Sequence, residues 1–251
     1  MLKGVILAGG KGKRLYPLTK VTNKHLLPAG KEPMIYNPIR QLISSSITDI
    51  LIITSTECMG DVVNLLGSGK NFGCQFTYKV QEEAAGIADA LALAESFANG
   101  EKIAVILGDN ICDTSIKDSV ERFRKQEKGA RVLLKKVGDP ERYGVAAIDE
   151  KKVIQIEEKP MEPKSDYAVI GYYMYDNQVF DFIRQIEPSK RGELEITSVN
   201  NIYIELGQLD YNVLHGNWTD AGTIESLQYA NEIMNRVQNQ ILEPTKFLLK
   251  E

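Results

Sequence analysis

An α/β fold with a doubly wound, mostly parallel (Rossmann-like) sheet is predicted by three features of this 251-residue sequence. Short β-rich apolar runs alternate with helical patterns through its first half, as βαβ crossovers require. A hydrophobic content of 43% over that length is enough for one large domain with a well-buried core. The second half changes to alternating strands with a tight turn, which predicts a β-hairpin-bearing insertion beside the main sheet.

Taken in order, Gly4 to Ala8, Asp49 to Thr54, Cys74 to Val80 and Ile103 to Leu107 are the expected strands of the first half. Asn37 to Ser45, Gly60 to Leu66 and Gly86 to Ala98 are the expected helices between them. In a doubly wound sheet ligands sit outside the carboxyl ends of the strands. The glycines at 9, 10 and 12 fall there, as does Gly108-Asp109-Asn110 after the last of these strands. Gly144 to Asp149 and Lys152 to Glu158 read as a hairpin around an Asp149-Glu150-Lys151-Lys152 turn, followed by a strand at Tyr167 to Tyr175. Helical patterns then cover Gln178 to Gln185, Glu195 to Leu206 and Thr223 to about Val237. Residues Asn239 to Glu251 suit a short helix or a frayed tail.

Charge is unevenly placed. From Met1 to Lys31 there are seven bases and no acid, although the whole chain has a formal net charge of -4, so the remaining residues sum to -11. An acidic protein repels nucleic acid and anionic membrane, while one local cationic face still draws in a small polyphosphate. Glycines directly after the first strand let backbone N–H groups approach phosphate oxygens that a Cβ would obstruct. A plain strand-to-loop turn with solvated lysines explains the glycines equally well on their own. With no apolar run of membrane-spanning length and no signal-peptide core, a cytoplasmic protein is expected. The three cysteines, Cys58, Cys74 and Cys112, lack CxxC spacing, and only His25 and His215 are present, so neither a disulfide framework nor a zinc site is indicated.

Two common phosphate loops fail on spacing. A dinucleotide fingerprint needs a further glycine where Leu15 stands, and a P-loop needs Gly-Lys-Ser/Thr where Tyr16-Pro17 follows. The stretch Leu7-Ala8-Gly9-Gly10-Lys11-Gly12-Lys13-Arg14-Leu15-Tyr16-Pro17-Leu18-Thr19, then Lys24-His25-Leu26-Leu27-Pro28 and Glu32-Pro33-Met34-Ile35, instead resembles the signature of the sugar-1-phosphate nucleotidylyltransferases. Gln81 with Gly86-Ile87-Ala88, Gly108-Asp109-Asn110, Glu157-Glu158-Lys159-Pro160, Arg191 to Thr197 and Trp218 to Thr223 extend the resemblance over nearly the whole chain. Within the family it is most similar to the shorter thymidylyl-transferring members. Lys11 and Lys13 stand where small hydroxyl residues are common, Ala84-Ala85 where proline or glycine often precedes Gly86, and Asp89 where glutamine is usual.

The resemblance implies nucleotidyl transfer from dTTP to glucose 1-phosphate with Mg²⁺ as cofactor, in a homo-oligomer. Arg14 and Lys24 are implied on the triphosphate, and Leu7, Ala8, Gly9, Gly10, Gly12, Gln81, Gly86 and Asp109 complete the nucleotide site. Lys159 and Arg191 are implied to hold the sugar phosphate, with Tyr143, Gly144, Glu158 and Ile170 around the sugar. Arg14, Lys24, Lys159 and Asp109 form the implied catalytic set, and Asp109 with Asp220 the metal pair. Alone, Asp220 would be read as a helix N-cap, Glu158 as a surface partner for a lysine, and Tyr143-Gly144 as a β-turn. The implied division is a single domain with a nucleotide-binding half at 1–130, a sugar-phosphate-binding half at 131–222, and a C-terminal helix and tail at 223–251. The same chemistry with UTP or CTP, and a non-catalytic nucleotide-sugar sensor on the same fold, remain as alternatives.

Overall fold

A computed structural model of the chain describes residues 1–10 and 12–241. Lys11, and the part of the expected tail from 242 to 251, lie outside the described residues. The strands are β1 (Leu2–Ala8), β2 (Pro28–Ala29), β3 (Glu32–Pro33), β4 (Asp49–Ser55), β5 (Gln75–Gln81), β6 (Lys102–Leu107), β7 (Asn110–Cys112), β8 (Ala130–Lys136), β9 (Gly144–Asp149), β10 (Lys152–Glu158), β11 (Tyr167–Tyr175), β12 (Leu209–Val213) and β13 (Trp218–Asp220). The helices are α1 (Tyr36–Ser44), α2 (Met59–Leu66), α3 (Ile87–Ala92), α4 (Glu95–Ala98), α5 (Lys117–Lys125), α6 (Gln178–Ile183), α7 (Ile196–Glu205) and α8 (Ile224–Ile241).

Nine strands form one sheet in the order β10-β9-β11-β6-β1-β4-β5, with β8 and β12 joined beside β11. Strands β6, β1, β4 and β5 are mutually parallel, and β11 runs antiparallel to β6. The parallel strands are apolar on both faces because both are covered. Val5, Leu51, Ile53 and Val105 pack beneath α3, α6 and α7, while Ile6, Ile50, Ile52 and Ile106 pack under α1, α2 and α5. This is the doubly wound arrangement expected from the sequence.

A third apolar cluster decides where the cationic loop goes. Leu15, Leu27 and Met34 from the chain after β1 pack with Ala221, Leu227, Ala230, Ile233 and Met234 of α8 and its approach. Leu15 is fully buried there, so its neighbour Arg14 is held at a fixed height above the strand ends.

Two expectations are corrected. The helical pattern from Gly86 to Ala98 is divided into α3 and α4, because residues between them turn without continuing the α ladder. The short strands β7, β12 and β13, together with β8 and α5, were not read from the sequence. The hairpin turn falls where expected: Glu150 and Lys151 both take positive φ, and Asp149 pairs with Lys152 across it.

Strand β11 creates the opening that becomes the site. Residues Tyr172 to Tyr175 pair with β6, whereas Ala168 and Val169 pair with β9, so β11 changes partner around Ile170-Gly171. The register with β8 shifts over the same residues. A gap is therefore left between the end of β6 and the start of β9.

Candidate active site

Two adjacent cavities lie along the carboxyl ends of the parallel strands. One, of about 340 Å³, is lined by Leu7, Gly9, Gly10, Lys24, Gln81 and Gly86, among others. The other, of about 270 Å³, occupies the β11 gap and is lined by Tyr143, Gly144, Glu158, Ile170, Thr197 and Asp220, among others. Arg14, Ile87, Leu107, Asp109 and Lys159 line both, and so mark where they join.

The glycine loop has little spare room. Gly12 has φ 62° and opens the turn at Lys13–Leu15, and its carbonyl accepts from Thr19 Oγ1 at 2.9 Å. A Cβ at Gly12 would stand 2.7 Å from Thr19 Cγ2, and one at Gly10 would meet Lys24 Cε at 3.0 Å. Lys24 thus lies across Gly10, with its ammonium paired to Asp109 Oδ2; each side chain is 14% exposed. Burial, the largest single influence, would raise the Asp109 carboxyl, but the Lys24 ammonium together with His25 and the Asn110 amide outweighs it and holds the group well below the usual carboxylate range. His25 beside it is lowered to about 3, by burial first and by Lys24 second, so it stands neutral. Its Nδ1 lies 2.6 Å from Asn23 Oδ1.

Asp109 and Asp220 are brought together by the β7–β13 pair. Asp220 is opposite Asn110 in that antiparallel ladder, and Ala221 N–H donates to the Asp109 carbonyl at 2.9 Å. The Asp220 carboxyl is raised, by burial first and by the neighbouring Asp109 charge second. Its Oδ1 accepts from Tyr143 OH at 3.3 Å and from Arg142 Nη2 at 3.4 Å. Asn110 fixes the other carboxylate: its Nδ2 donates to Asp109 Oδ1 at 3.0 Å, and its own Oδ1 accepts from Gly171 N–H at 3.0 Å and Trp218 Nε1 at 2.8 Å. Among the described residues no group of three or more His, Cys, Asp or Glu side chains could cage a metal. Two carboxylates open to a cavity instead make a partial donor set for a hard cation that takes its remaining ligands from phosphate and water.

The sugar-side expectations Tyr143, Gly144, Glu158, Lys159 and Ile170 share one cavity. Glu158 is oriented by Thr197, whose hydroxyl donates to Oε2 at 2.5 Å. Lys159 has φ 45°, unusual for a residue with a side chain, and its N–H donates to the Tyr143 carbonyl at 2.9 Å. Tyr143 packs edge-on to Trp218 with ring centroids 5.4 Å apart. Arg191 stands outside that cavity. It lines the cavity that holds Gly9 and Gln81, and pairs with Glu158 at 3.6 Å, with Glu195 at 3.5 Å and with Glu193.

The base segment expected at Gln81 and Gly86 folds against this same strip. Gly86 has φ 113° and sits so close to Leu194 that a Cβ would come within 2.7 Å of its backbone nitrogen. Leu194 N–H donates to the Ala85 carbonyl at 2.8 Å, and its own carbonyl accepts from Ala88 N–H at 3.1 Å. Several lining residues had no site role in the sequence reading: Arg142, Tyr173, Glu195, Thr197, Asn200 and Trp218. Glu195, Thr197 and Trp218 belong to motifs that were recognised as segments. Arg142, two residues after Pro140 in a turn, carries no comparable signal.

The arrangement places Arg14, Lys24, Lys159 and Arg191 around two cavities, with Asp109 at their junction and Asp220 beside it. That inventory can bind two anions end to end and neutralise their mutual repulsion. A family model described as nucleotidyl transferase matches residues 3–236. The chain is 43% identical over 242 residues to a glucose-1-phosphate thymidylyltransferase of Neisseria meningitidis, spanning 95% of this chain and 84% of that protein. It is also 43% identical over 240 residues to one from Xanthomonas campestris, with coverage of 94% and 81%. A crystal structure assigned as a glucose-1-phosphate thymidylyltransferase of Bacillus anthracis, in complex with a sucrose, superposes with a TM-score of 0.90 at 58% identity over 94% of this chain and 96% of that one. A UDP-glucose pyrophosphorylase complexed with UDP-glucose shares the fold, with a TM-score of 0.83 at 24% identity and coverage of 94% and 99%.

Proposed function

The chain belongs to the nucleotidyl transferase family, and from that membership we propose that it transfers a thymidylyl group from dTTP to glucose 1-phosphate, yielding dTDP-glucose and pyrophosphate. The observation that carries this most directly is the junction itself. Arg14, Asp109 and Lys159 line both cavities, as a reaction between one anion bound in each requires. The 43% identity to thymidylyltransferases over most of the chain supports the choice of base and sugar.

In this reaction a phosphate oxygen of glucose 1-phosphate attacks the α-phosphorus of dTTP. The new O–P bond forms as the bond to the β-phosphate oxygen breaks, and that electron pair leaves with pyrophosphate. A phosphate monoester with a second pKa of roughly 6 is already largely a dianion at neutral pH, so no protein base is needed. The protein supplies charge and alignment. Gly9, Gly10 and Gly12 with Arg14 and Lys24 are assigned to the triphosphate. Gln81 and Gly86 are assigned to the base, and Tyr143, Gly144, Glu158 and Ile170 to the sugar. Lys159, which lines both cavities, and Arg191, which pairs with Glu158 of the sugar-side cavity, are assigned to the sugar phosphate.

The Asp109–Asp220 pair fits Mg²⁺, because it offers two hard oxygen donors and leaves the rest of the coordination sphere to phosphates and water. When bound there, Mg²⁺ would offset phosphate charge as the leaving group departs. Among the described residues no helix is long and apolar enough to cross a membrane. Charged nucleotides and sugar phosphates are retained in the cytoplasm, which supports that compartment.

Pyrophosphate release measured for dTTP, UTP, CTP and ATP against several sugar 1-phosphates tests the whole assignment. The highest kcat/KM is expected for dTTP with glucose 1-phosphate. A maximum with CTP or ATP would overturn the base, and absence of turnover with every pair would leave a binding protein.

A further inference from the structure

We infer that Asp89 sets the base selectivity of the site by fixing which end of the Gln81 amide faces the nucleotide, an inference that rests on Gln81 lining the base-binding end of the nucleotide cavity. Gln81 closes β5 and is 8% exposed. Its Nε2 donates to Asp89 Oδ2 at 2.7 Å and to the Gly86 carbonyl at 3.3 Å. Both partners are acceptors only. Turning the amide over would set its carbonyl oxygen against two other oxygens, so the network admits one orientation.

In that orientation Oε1 leans toward Gly9, where a Cβ would lie 3.0 Å from it. Among the described residues no donor reaches Oε1. The cavity is therefore offered a lone acceptor. Thymine and uracil carry a donor, N3–H, in the middle of the pairing edge, and it complements that oxygen. Cytosine presents a lone pair at the same atom, so the same placement opposes two acceptors.

Asp89 is not among the cavity-lining residues. It lies in the first turn of α3, whose start is fixed by the Gly86–Leu194 contact. It acts through Gln81 and is a positioning residue. Asparagine at 89 would offer an amide that can donate as well as accept, so Gln81 could then take either orientation. Alanine would leave only the Gly86 carbonyl to hold Nε2.

The test compares kcat/KM for UTP and CTP, which share a ribose and differ at the pairing edge, in the unaltered chain and in Asp89→Asn and Asp89→Ala, with dTTP as reference. The unaltered chain is expected to favour UTP over CTP, and the ratio to fall at least about ten-fold in Asp89→Asn, with a smaller fall in Asp89→Ala. A purely structural defect would lower both substrates together and leave the ratio in place. For a variant too slow to assay, or one too unstable as asparagine, the same ratio is read by equilibrium binding or from the alanine variant. If the unaltered chain shows no preference for UTP, the assignment of the base site fails; if it does and both variants keep the ratio, the role given to Asp89 is wrong.

Discussion

The Lys24 ammonium is paired with the Asp109 carboxylate, tying the loop after β1 to the end of β6. Both side chains are largely withdrawn from water, so the pair is not the weak surface kind. Removing Lys24 leaves Asp109 beside Asp220 with one cation fewer. Lys24→Met is expected to lose activity and also about 3 kcal/mol of stability, the scale for leaving one member of a buried pair uncompensated. Urea unfolding of this variant beside the unaltered chain measures the second effect. An unchanged midpoint would show that the pair is solvated in solution.

At Asp220, stability and activity are expected to move in opposite directions. Asp109 and Asp220 each supply a carboxylate to the same place, and burial with mutual repulsion raises the Asp220 carboxyl. Asp220→Asn should therefore fold with unchanged or increased Tm, because it relieves a like-charge contact, while losing most activity. Its requirement for Mg²⁺ should shift to higher concentration. Thermal unfolding with a Mg²⁺ titration of turnover separates the two effects, and full turnover in excess EDTA would remove the metal role from both residues.

Strands β1, β4 and β6 were legible because burial on two faces writes a near-continuous apolar run, and the Asp149–Lys152 hairpin because its two strands flank a short polar turn. Strands β7 and β13 were not. They are three residues each, and they exist because Asn110 and Trp218 find one another across 108 positions of sequence. No local pattern encodes that pairing. The consequence is specific: Asp109 and Asp220 could be proposed as partners only through a resemblance, whereas the ladder gives a physical reason for their adjacency. Helix α5 went unread because its segment is largely charged and buries only Ser119, Val120 and Phe123. Strand β12 carries Asp210 and Asn212 among its five residues, which obscures the pattern.

Gly171 provides a test of how Asp109 is held. A Cβ there would lie 2.7 Å from Asn110 Cγ and Nδ2 and from Leu107 Cγ, and Asn110 is held by its own hydrogen bonds. Gly171→Ala is expected to push Asn110 off its three hydrogen bonds, destabilising the fold by roughly 1 to 3 kcal/mol, the usual cost of overpacking. Because Asn110 orients Asp109, kcat should fall further than folding alone explains at a temperature where the variant is fully folded. Normal kcat in folded Gly171→Ala would mean that Asp109 is placed without help from Asn110.

Arg14 and Lys159 are assigned to different substrates, and each lines both cavities, so substitution at either should weigh most on its own substrate while also disturbing the other. Glu158 is the better probe of one half. It lines only the cavity in the β11 gap, and Thr197 fixes its Oε2. Glu158→Gln keeps the shape and removes the charge that strengthens hydrogen bonds from sugar hydroxyls. A lost charge-assisted contact of roughly 1.5 to 3 kcal/mol corresponds to about ten-fold to over a hundred-fold in kcat/KM. That loss should fall on glucose 1-phosphate, while the KM for dTTP stays within about two-fold. The Arg191 guanidinium pairs with Glu158, Glu193 and Glu195, so the two remaining carboxylates keep it in place in this variant. Steady-state kinetics with each substrate varied in turn decides the point, and an equal rise in both KM values would show that Glu158 acts by holding its cationic partners Arg191 and Lys159, at 3.6 and 3.7 Å, rather than by meeting the sugar.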